Sequence, residues 1–467
     1  MVPEHLRYGG GVSESIFNPA VAVIMIVGGL LILFLPRKYA AVPFLLMSIL
    51  IPMDQVLVIG GLHFPVLRIL ILFGTIRMVL LKMRGEDILR GGLNKIDKAL
   101  ILLSVTSAVA GVLLFQNAQA LIYQFGELFN AFGAYFLLRC LIGDYEDVVR
   151  AIRVLAFIVV VLGGVMTVEQ LTRGWNPYFL LGGARGAWVM ERDGVIRAMG
   201  PFGHCLLAGT FGAVLVPVFV GLWWKERKYR VIALLGIVGA TVMTLAAHSS
   251  TCLSGLLAGL LGLCLWPIRE RMRLVRWGIV ITLVSLHMVM KAPVWHLISR
   301  LDLSGGSSSW HRYFLIDSCI RHFWQWWLVG TNANGNWGWD MFDTADQYVE
   351  HAVKGGLLAL IFFIAIIVYG YKYLGRARQA ATDKKQALFF WALGSTLFAY
   401  TMSFIGISLW DQSIVGWYGL LAFVGAVAVP LKLKAVQPEF RTNLRPVTES
   451  ARFEPANQMV SPLRPRF

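Results

Sequence analysis

Long apolar runs alternate with short polar connections along the chain, and the runs set its elements. Uninterrupted apolar stretches fall near residues 19–36, 40–54, 64–81, 98–115, 119–138, 152–168, 203–223, 231–247, 250–267, 275–290, 355–371, 387–406 and 413–430. Most approach the roughly 20 residues that an α-helix needs to cross a hydrocarbon core about 30 Å thick. The alternating segments of a transmembrane barrel do not accompany them. The pattern predicts an all-α fold, a polytopic helical membrane protein with about 12–13 transmembrane helices. The range reflects residues 40–81, where Asp54 and Pro65 fit either a connection between two spans or a re-entrant segment. The first run starts near Pro19, behind Glu4, Arg7 and Glu14, without a small-residue cleavage site, and is expected to stay as a span.

Two connections break the sequence of short turns, residues 169–202 and residues 291–354, and the second is long enough to fold. Connections of that length are usually functional or disordered. The second carries Trp295, Trp310, Trp324, Trp326, Trp327, Trp337 and Trp339, a density suited to a helical element at the membrane surface or to rings that stack on sugars. The chain therefore divides into helices over 1–290 with the segment 169–202, a large partly helical loop over 291–354, further spanning helices over 355–430, and a basic tail over 431–467. The tail has no apolar period and reads as disordered, close to anionic lipid.

Composition agrees, with 57% hydrophobic and 15% charged residues and a mean hydropathy of +0.67. Soluble domains carry about 25% charged residues, so a water-soluble chain is excluded. The net charge of +16 reports orientation once it is divided among the loops. Alternating the spans puts 30 of the 42 Lys and Arg on one side with 12 acids, and 10 on the other with 13 acids. The positive-inside rule makes the first side cytoplasmic, with the tail, and the two long segments periplasmic. Membrane lipids, and not nucleic acid, are the partners that this charge implies.

Five cysteines without paired spacing signal neither a disulfide framework nor a zinc site. The Gly pairs at 182–183, 305–306 and 355–356 are not followed by Lys-Ser or Lys-Thr, so nucleotide hydrolysis has no support. The chemistry concentrates in the periplasmic segments. Arg185, Arg192 and Arg197 lie in the first and Arg300, Arg312 and Arg321 in the second. A guanidinium fork grips phosphate oxygens in pairs, so arginines at a membrane surface suit a diphosphate. For Arg185, Arg192 and Arg321 the simpler role is a lipid headgroup contact or a pair with a nearby acid. His204 and His351 stand where the two large segments re-enter spans. Asp340, Asp343 and Asp346 recur at helical spacing ahead of Glu350, and can hold a divalent cation, supply a general base, or cap the helix that enters the membrane at Gly355. Arg68, Arg77 and Glu127 lie within spans, and each is expected to face a partner or a cavity.

Several of these residues fall in recognisable runs. Arg197-Ala-Met-Gly-Pro-Phe-Gly-His204 follows Asn176-Pro177, and Ser308-Ser-Trp-His-Arg312, Leu328-Val-Gly330 and Asp343-Thr-Ala-Asp346-Gln-Tyr348 precede Gly355-Gly356. In order and spacing they resemble the bacterial O-antigen ligase and polymerase superfamily over about residues 119–406. The resemblance implies an inner-membrane glycosyltransferase of the GT-C type. Such an enzyme moves a glycan from undecaprenyl diphosphate to an acceptor hydroxyl in the periplasm, with no nucleotide, cofactor or essential metal. Its partners would be the lipid-diphosphate-linked donor, a glycan or lipid acceptor, and other polysaccharide-assembly proteins. The ligases carry His-Asn near the end of the large loop, where this chain has Asp346-Gln347 with His351 a turn later. This departure points toward an exopolysaccharide polymerase and leaves the general base open between Asp346 and His351.

The expected catalytic set is thus Arg197 and Arg312 on the diphosphate, with Asp346 or His351 as base. Arg185, His204, Arg300, Trp310, His311, Asp343, Gln347 and Tyr348 are expected to bind substrate. A lipid-linked oligosaccharide flippase is the rival, but transporters usually show internal repeats and broken helices meeting at the midplane, and the chain shows neither a repeat nor many midplane charges. A non-catalytic scaffold of an export complex is a third reading.

Overall fold

A computed structural model describes residues 15–52, 54–60, 62–182, 189–300 and 309–443, the last 14 as backbone only. Thirteen helices follow the thirteen apolar runs. They are α1 (Pro19–Phe34), α2 (Arg37–Leu50), α3 (Val66–Met83), α4 (Lys95–Phe115), α5 (Ala118–Leu141), α6 (Tyr145–Leu171), α7 (Cys205–Lys225), α8 (Arg230–Ala246), α9 (Ser250–Cys264) and α10 (Met272–Val289), followed after the large loop by α13 (Gln347–Gln379), α14 (Lys384–Ser403) and α15 (Ser413–Asn443). The loop contributes α11 (Ser309–Arg321) and α12 (Phe323–Trp326). Among the described residues the only strands form two antiparallel hairpins, β1 (Val56–Ile59) with β2 (Leu62–Pro65) and β3 (Glu191–Arg192) with β4 (Val195–Ile196). The chain is an all-α polytopic membrane protein.

Among the described residues six stretches are long and apolar enough to cross a bilayer: α4, α6, α7, α8 and α10, the last two with the turns that lead into them, and α13. The helices α1 and α9 and the segment Ser413–Val429 of α15 are apolar but shorter. Helix α15 runs on to Asn443, past residue 430, and residues 444–467 lie outside the described part. The connection between α2 and α3, where a re-entrant segment was the alternative, is described at residues 51–52, 54–60 and 62–65. The β1–β2 hairpin makes that connection, with Val58 opposite His63.

Polar residues start the helices where capping theory requires them, because the first amides of a helix have no partner within it. Asn94 and Asp97 form a capping box on α4, and Asp144 caps α6. His204 caps α7, accepting at Nδ1 from the Leu206 amide at 3.0 Å. The core surrounds α7, whose apolar stretch is 89% buried. It packs on α8, α9 and α14. Glycines admit the close crossings: a Cβ at Gly239 would stand 2.6 Å from the Val159 carbonyl oxygen, and one at Gly212 2.5 Å from that of Ala240. By contrast α10 has no buried residue.

The charged residues inside spans do find partners. Arg68 donates to Asn130 Oδ1 at 3.0 Å and to the His63 carbonyl at 2.8 Å, and stands 3.8 Å from Glu127. Arg77, buried, donates to the carbonyls of Ile32 and Leu33 at 2.6 and 2.9 Å, satisfying the C-terminal end of α1. At one end of the bundle, the C-termini of α6, α8 and α14 and the N-termini of α7, α13 and α15 are stitched together by hydrogen bonds from residues 196–204 and 347–412. That face carries both long segments.

Candidate anion-binding site

The segment ending at His204 is folded by its own turn and then gripped from beneath. Asp193 and Gly194, with φ of 54° and 79°, make the two-residue left-handed turn of the β3–β4 hairpin. The hairpin sets Arg192 opposite Val195, and the Arg197 amide closes it on the Met190 carbonyl at 2.8 Å, so both arginines stand at one edge. The next residues hang on four buried side chains. The Glu169 carboxylate at the end of α6 accepts from the Met199 and Gly200 amides at 3.1 and 2.9 Å, and Asn176 donates to the Gly200 carbonyl at 2.6 Å. Gln412 donates to the Pro201 carbonyl at 2.7 Å, and Asp411 accepts from the Gly203 amide at 2.9 Å. Burial raises the pKa of the Asp411 carboxyl above its ordinary value against the opposing pull of its amide donors.

Arg197 and Arg312 are then held in parallel ways. Arg197 Nε donates to the Ala247 carbonyl at 3.2 Å, just past the end of α8, and Arg312 Nε donates to the Gly406 carbonyl at 3.1 Å, just past the end of α14. Helix C-termini are partly negative and suit a cation. Gly406 must lack a side chain, since a Cβ there would lie 2.9 Å from Arg312 Nε. The two arginines are only 6% and 7% exposed, yet among the described residues neither has a carboxylate within ion-pair distance.

Both line one cavity of about 350 Å³, together with Arg192, His204, Ser249, Ser250, His311, Trp339, Asp340 and Asp343. Its wall includes the start of α9, where Ser249 is the cap residue. Burial, and then the charges of Arg197 and Arg192, lower the pKa of His204 to about 4. The ring is therefore neutral, and since Nδ1 accepts from the helix, Nε2 carries the proton as a donor. His311 Nε2 lies 3.3 Å from the Asp343 carbonyl oxygen, which can only accept, so a neutral His311 keeps a lone pair on Nδ1. Desolvation raises the Asp343 carboxyl above its ordinary range. The cavity thus joins three cations and two helix starts to an aromatic and acidic rim, an arrangement that binds a multiply charged oxyanion beside groups able to exchange a proton.

The expected residues divide. Arg197, Arg312, His204, His311 and Asp343 come together in this cavity. Asp346 does not line it: 1% exposed, it caps α13, accepting at Oδ1 from the Tyr348 and Val349 amides at 2.8 and 2.9 Å. Its position fits the capping alternative among the three weighed for the acidic run. Gln347 and His351 line a separate cavity of about 50 Å³, where Gln347 accepts from the Leu409 amide at 2.7 Å and the His351 ring packs on Phe363. Tyr348 donates to the Thr401 carbonyl at 3.0 Å in the same interior. Trp310 stacks on Phe314 with centroids 5.1 Å apart, and neither Trp310 nor the exposed Arg300 is among the residues that line the cavity. Arg185 lies outside the described residues. Arg192, Ser249, Ser250, Trp339 and Asp340 line the cavity without having been expected there. Asp193-Gly194 was the signal for Arg192, because that dipeptide favours the hairpin that sets it beside Arg197. Compared with protein-family profiles and with curated proteins, the chain matches none, so what the cavity does is argued from its own geometry.

Proposed function

We propose that the chain is a glycosyltransferase of the bacterial inner membrane that transfers a glycan from a lipid diphosphate, undecaprenyl diphosphate, to an acceptor hydroxyl on the periplasmic side, as an exopolysaccharide or O-antigen polymerase or ligase. One observation carries the reading: Arg197 and Arg312, both buried and, among the described residues, without a carboxylate within ion-pair distance, line the same cavity. A buried charge without a counter-ion is strongly unfavourable, so such a pair is built for an anion that arrives. The resemblance of the runs around them supplies the class of anion, and the unequal division of 30 against 10 basic residues supports a periplasmic cavity and a cytoplasmic C-terminus.

In this mechanism Arg192, Arg197 and Arg312 hold the diphosphate and stabilise the charge that grows on it as its bond to the anomeric carbon breaks. The acceptor oxygen attacks that carbon from the opposite face, forms the new glycosidic bond and inverts the centre. His311 Nδ1 takes the acceptor proton, with the Asp343 carboxylate beside the imidazolium that results. This assignment replaces Asp346 and His351, whose side chains serve a helix cap and a separate interior cavity. The arginines supply the electrostatic work that a divalent cation does in many phosphate sites.

The test is transfer by purified protein in lipid nanodiscs supplied with a polyprenyl-diphosphate-linked oligosaccharide and a glycan acceptor. Elongated acceptor with release of the lipid diphosphate is expected, reduced about 10²–10³-fold in Arg197→Ala and in Arg312→Ala. Absence of transfer from wild-type protein, with movement of the labelled lipid across proteoliposome bilayers, would support the flippase instead.

A further inference from the structure

The tryptophans of the large loop divide by their surroundings. The division starts at a break in α13, where Gly356 adopts φ 71° and interrupts the helix between Val353 and Leu357. The two backbone groups left free are taken by the loop: Thr331 donates to the Val353 carbonyl at 2.8 Å, and the Leu357 amide donates to the Trp327 carbonyl at 2.9 Å. Glycine makes the approach possible, since a Cβ at Gly330 would lie 2.0 Å from the Val353 oxygen, and one at Gly356 2.6 Å from the Leu328 oxygen. Residues 327–331 are thus fixed against the side of a membrane-spanning helix.

Their depth follows from the other end of α13. Tyr373 accepts from the Lys95 amide at 3.1 Å, where α4 begins among charged residues, so Tyr373 marks the far rim of the membrane. The rise from Leu357 to Tyr373 is about 24 Å at 1.5 Å per residue. That is less than the hydrocarbon thickness of about 30 Å, which puts residues 327–331 at or below the near rim. Irregular backbone is tolerated at that depth only where protein satisfies it, as α13 does here. The side chains on this segment point away from the protein core: Trp324 is 79% exposed and Leu328 63%, with Ile320 and Trp327 exposed beside them. On the next turns of α13, Leu358, Ile361 and Ile364 are exposed as well. Arg321, at the end of α11, is paired with Asp317 at 2.7 Å, and the Gln325 side chain accepts from Trp337 Nε1 at 2.8 Å.

We infer that Trp324, Trp327 and Leu328 form a wedge seated in the bilayer, in the leaflet on the cavity side, whereas Trp339, 86% exposed at the cavity, faces water. The occupant of the patch is lipid, because the segment is bonded at this depth to a membrane-spanning helix whose next turns are themselves exposed and apolar, and an indole suits the boundary between headgroups and chains. The wedge also fixes the height of α11, and so of Arg312, above the membrane. It stands independently of the reaction proposed for the cavity.

The experiment is site-directed spin labelling of full-length protein in vesicles of phosphatidylethanolamine and phosphatidylglycerol. Cys264, the exposed native cysteine, is replaced by Ser, and labels are placed singly through Trp324→Cys, Leu328→Cys and, for comparison, Trp339→Cys. Nitroxides at 324 and 328 are expected to collide more with dissolved oxygen than with a water-soluble nickel chelate, and the label at 339 the reverse. Chelate collision at 324 and 328 equal to that at 339 would overturn the wedge. So would labels at both positions shielded from oxygen and chelate alike, with dipolar broadening, which would mean that a second copy covers the patch. Because Leu328 is a separate position, a Trp324 variant that fails to fold leaves the inference open to refutation.

Discussion

At the scale of single residues, the decisive feature is a buried guanidinium with no carboxylate within ion-pair distance among the described residues. Arg312 keeps its Nε on the Gly406 carbonyl and leaves the rest of its fork to the cavity. Arg312→Lys retains the charge but loses the fork and that anchor, and a loss of at least about tenfold in transfer is expected, since one displaced charge-assisted hydrogen bond is worth about 1.5–3 kcal/mol. Full activity in the Lys variant would show that charge alone suffices. Asp346 makes the opposite case. Burial raises its carboxyl to about 7, against the amides of Val349 and Tyr348. A raised carboxyl contributes stability that is fully present below its unfolded value of 3.8 and is lost as pH rises through about 7. Asp346→Asn keeps a capping oxygen and removes the titration, so its melting temperature relative to wild type is expected to climb between pH 4 and 7 while transfer persists. Abolished transfer in a folded Asn variant would return Asp346 to the role of base. The sequence made the residue types at the site legible, Arg197 and Arg312 above all. It did not separate Asp343 from Asp346, because three residues apart one faces the cavity and the other the start of a helix.

At the scale of elements, the apolar runs announced the thirteen helices to within a few residues at most ends, since a span of lipid length leaves little freedom. The break in α13 was not announced by Gly355-Gly356, because a glycine pair is as compatible with close helix packing as with left-handed backbone. Gly355 does pack, 2.9 Å from Ser107 Oγ if it carried a Cβ, while Gly356 bends the chain. Gly356→Ala is therefore expected to destabilise the protein by about 1–3 kcal/mol through strain, with the clash against the Leu328 carbonyl added, whereas Gly375→Ala, which would meet nothing within 4 Å, is neutral or mildly stabilising. Thermal unfolding in one detergent compares the two directly, and equal melting temperatures would contradict the stitched break. Arg192 reached the cavity by way of a six-residue hairpin, an element too short for apolar periodicity to register.

At the scale of the whole molecule, the charge asymmetry and the cavity make a joint statement. The loops at the cavity end hold few basic residues, and the opposite end holds most of them. A membrane-impermeant maleimide is therefore expected to label Trp339→Cys in cells whose inner membrane is intact, and to label Lys385→Cys only after that membrane is opened; the reverse would invert the protein and place the cavity in the cytoplasm. The central claim is that the arginine cavity joins glycans carried on a lipid diphosphate. It is tested most directly by the length distribution of lipid-linked and released glycan in cells with wild-type protein, Arg197→Ala, Arg312→Ala or no protein. A polymerase predicts single repeat units on periplasm-facing lipid in all three deficient strains, and a ligase predicts long lipid-linked polymer that fails to reach its acceptor. Normal glycan lengths and attachment in both arginine variants, at wild-type protein levels, would contradict the claim.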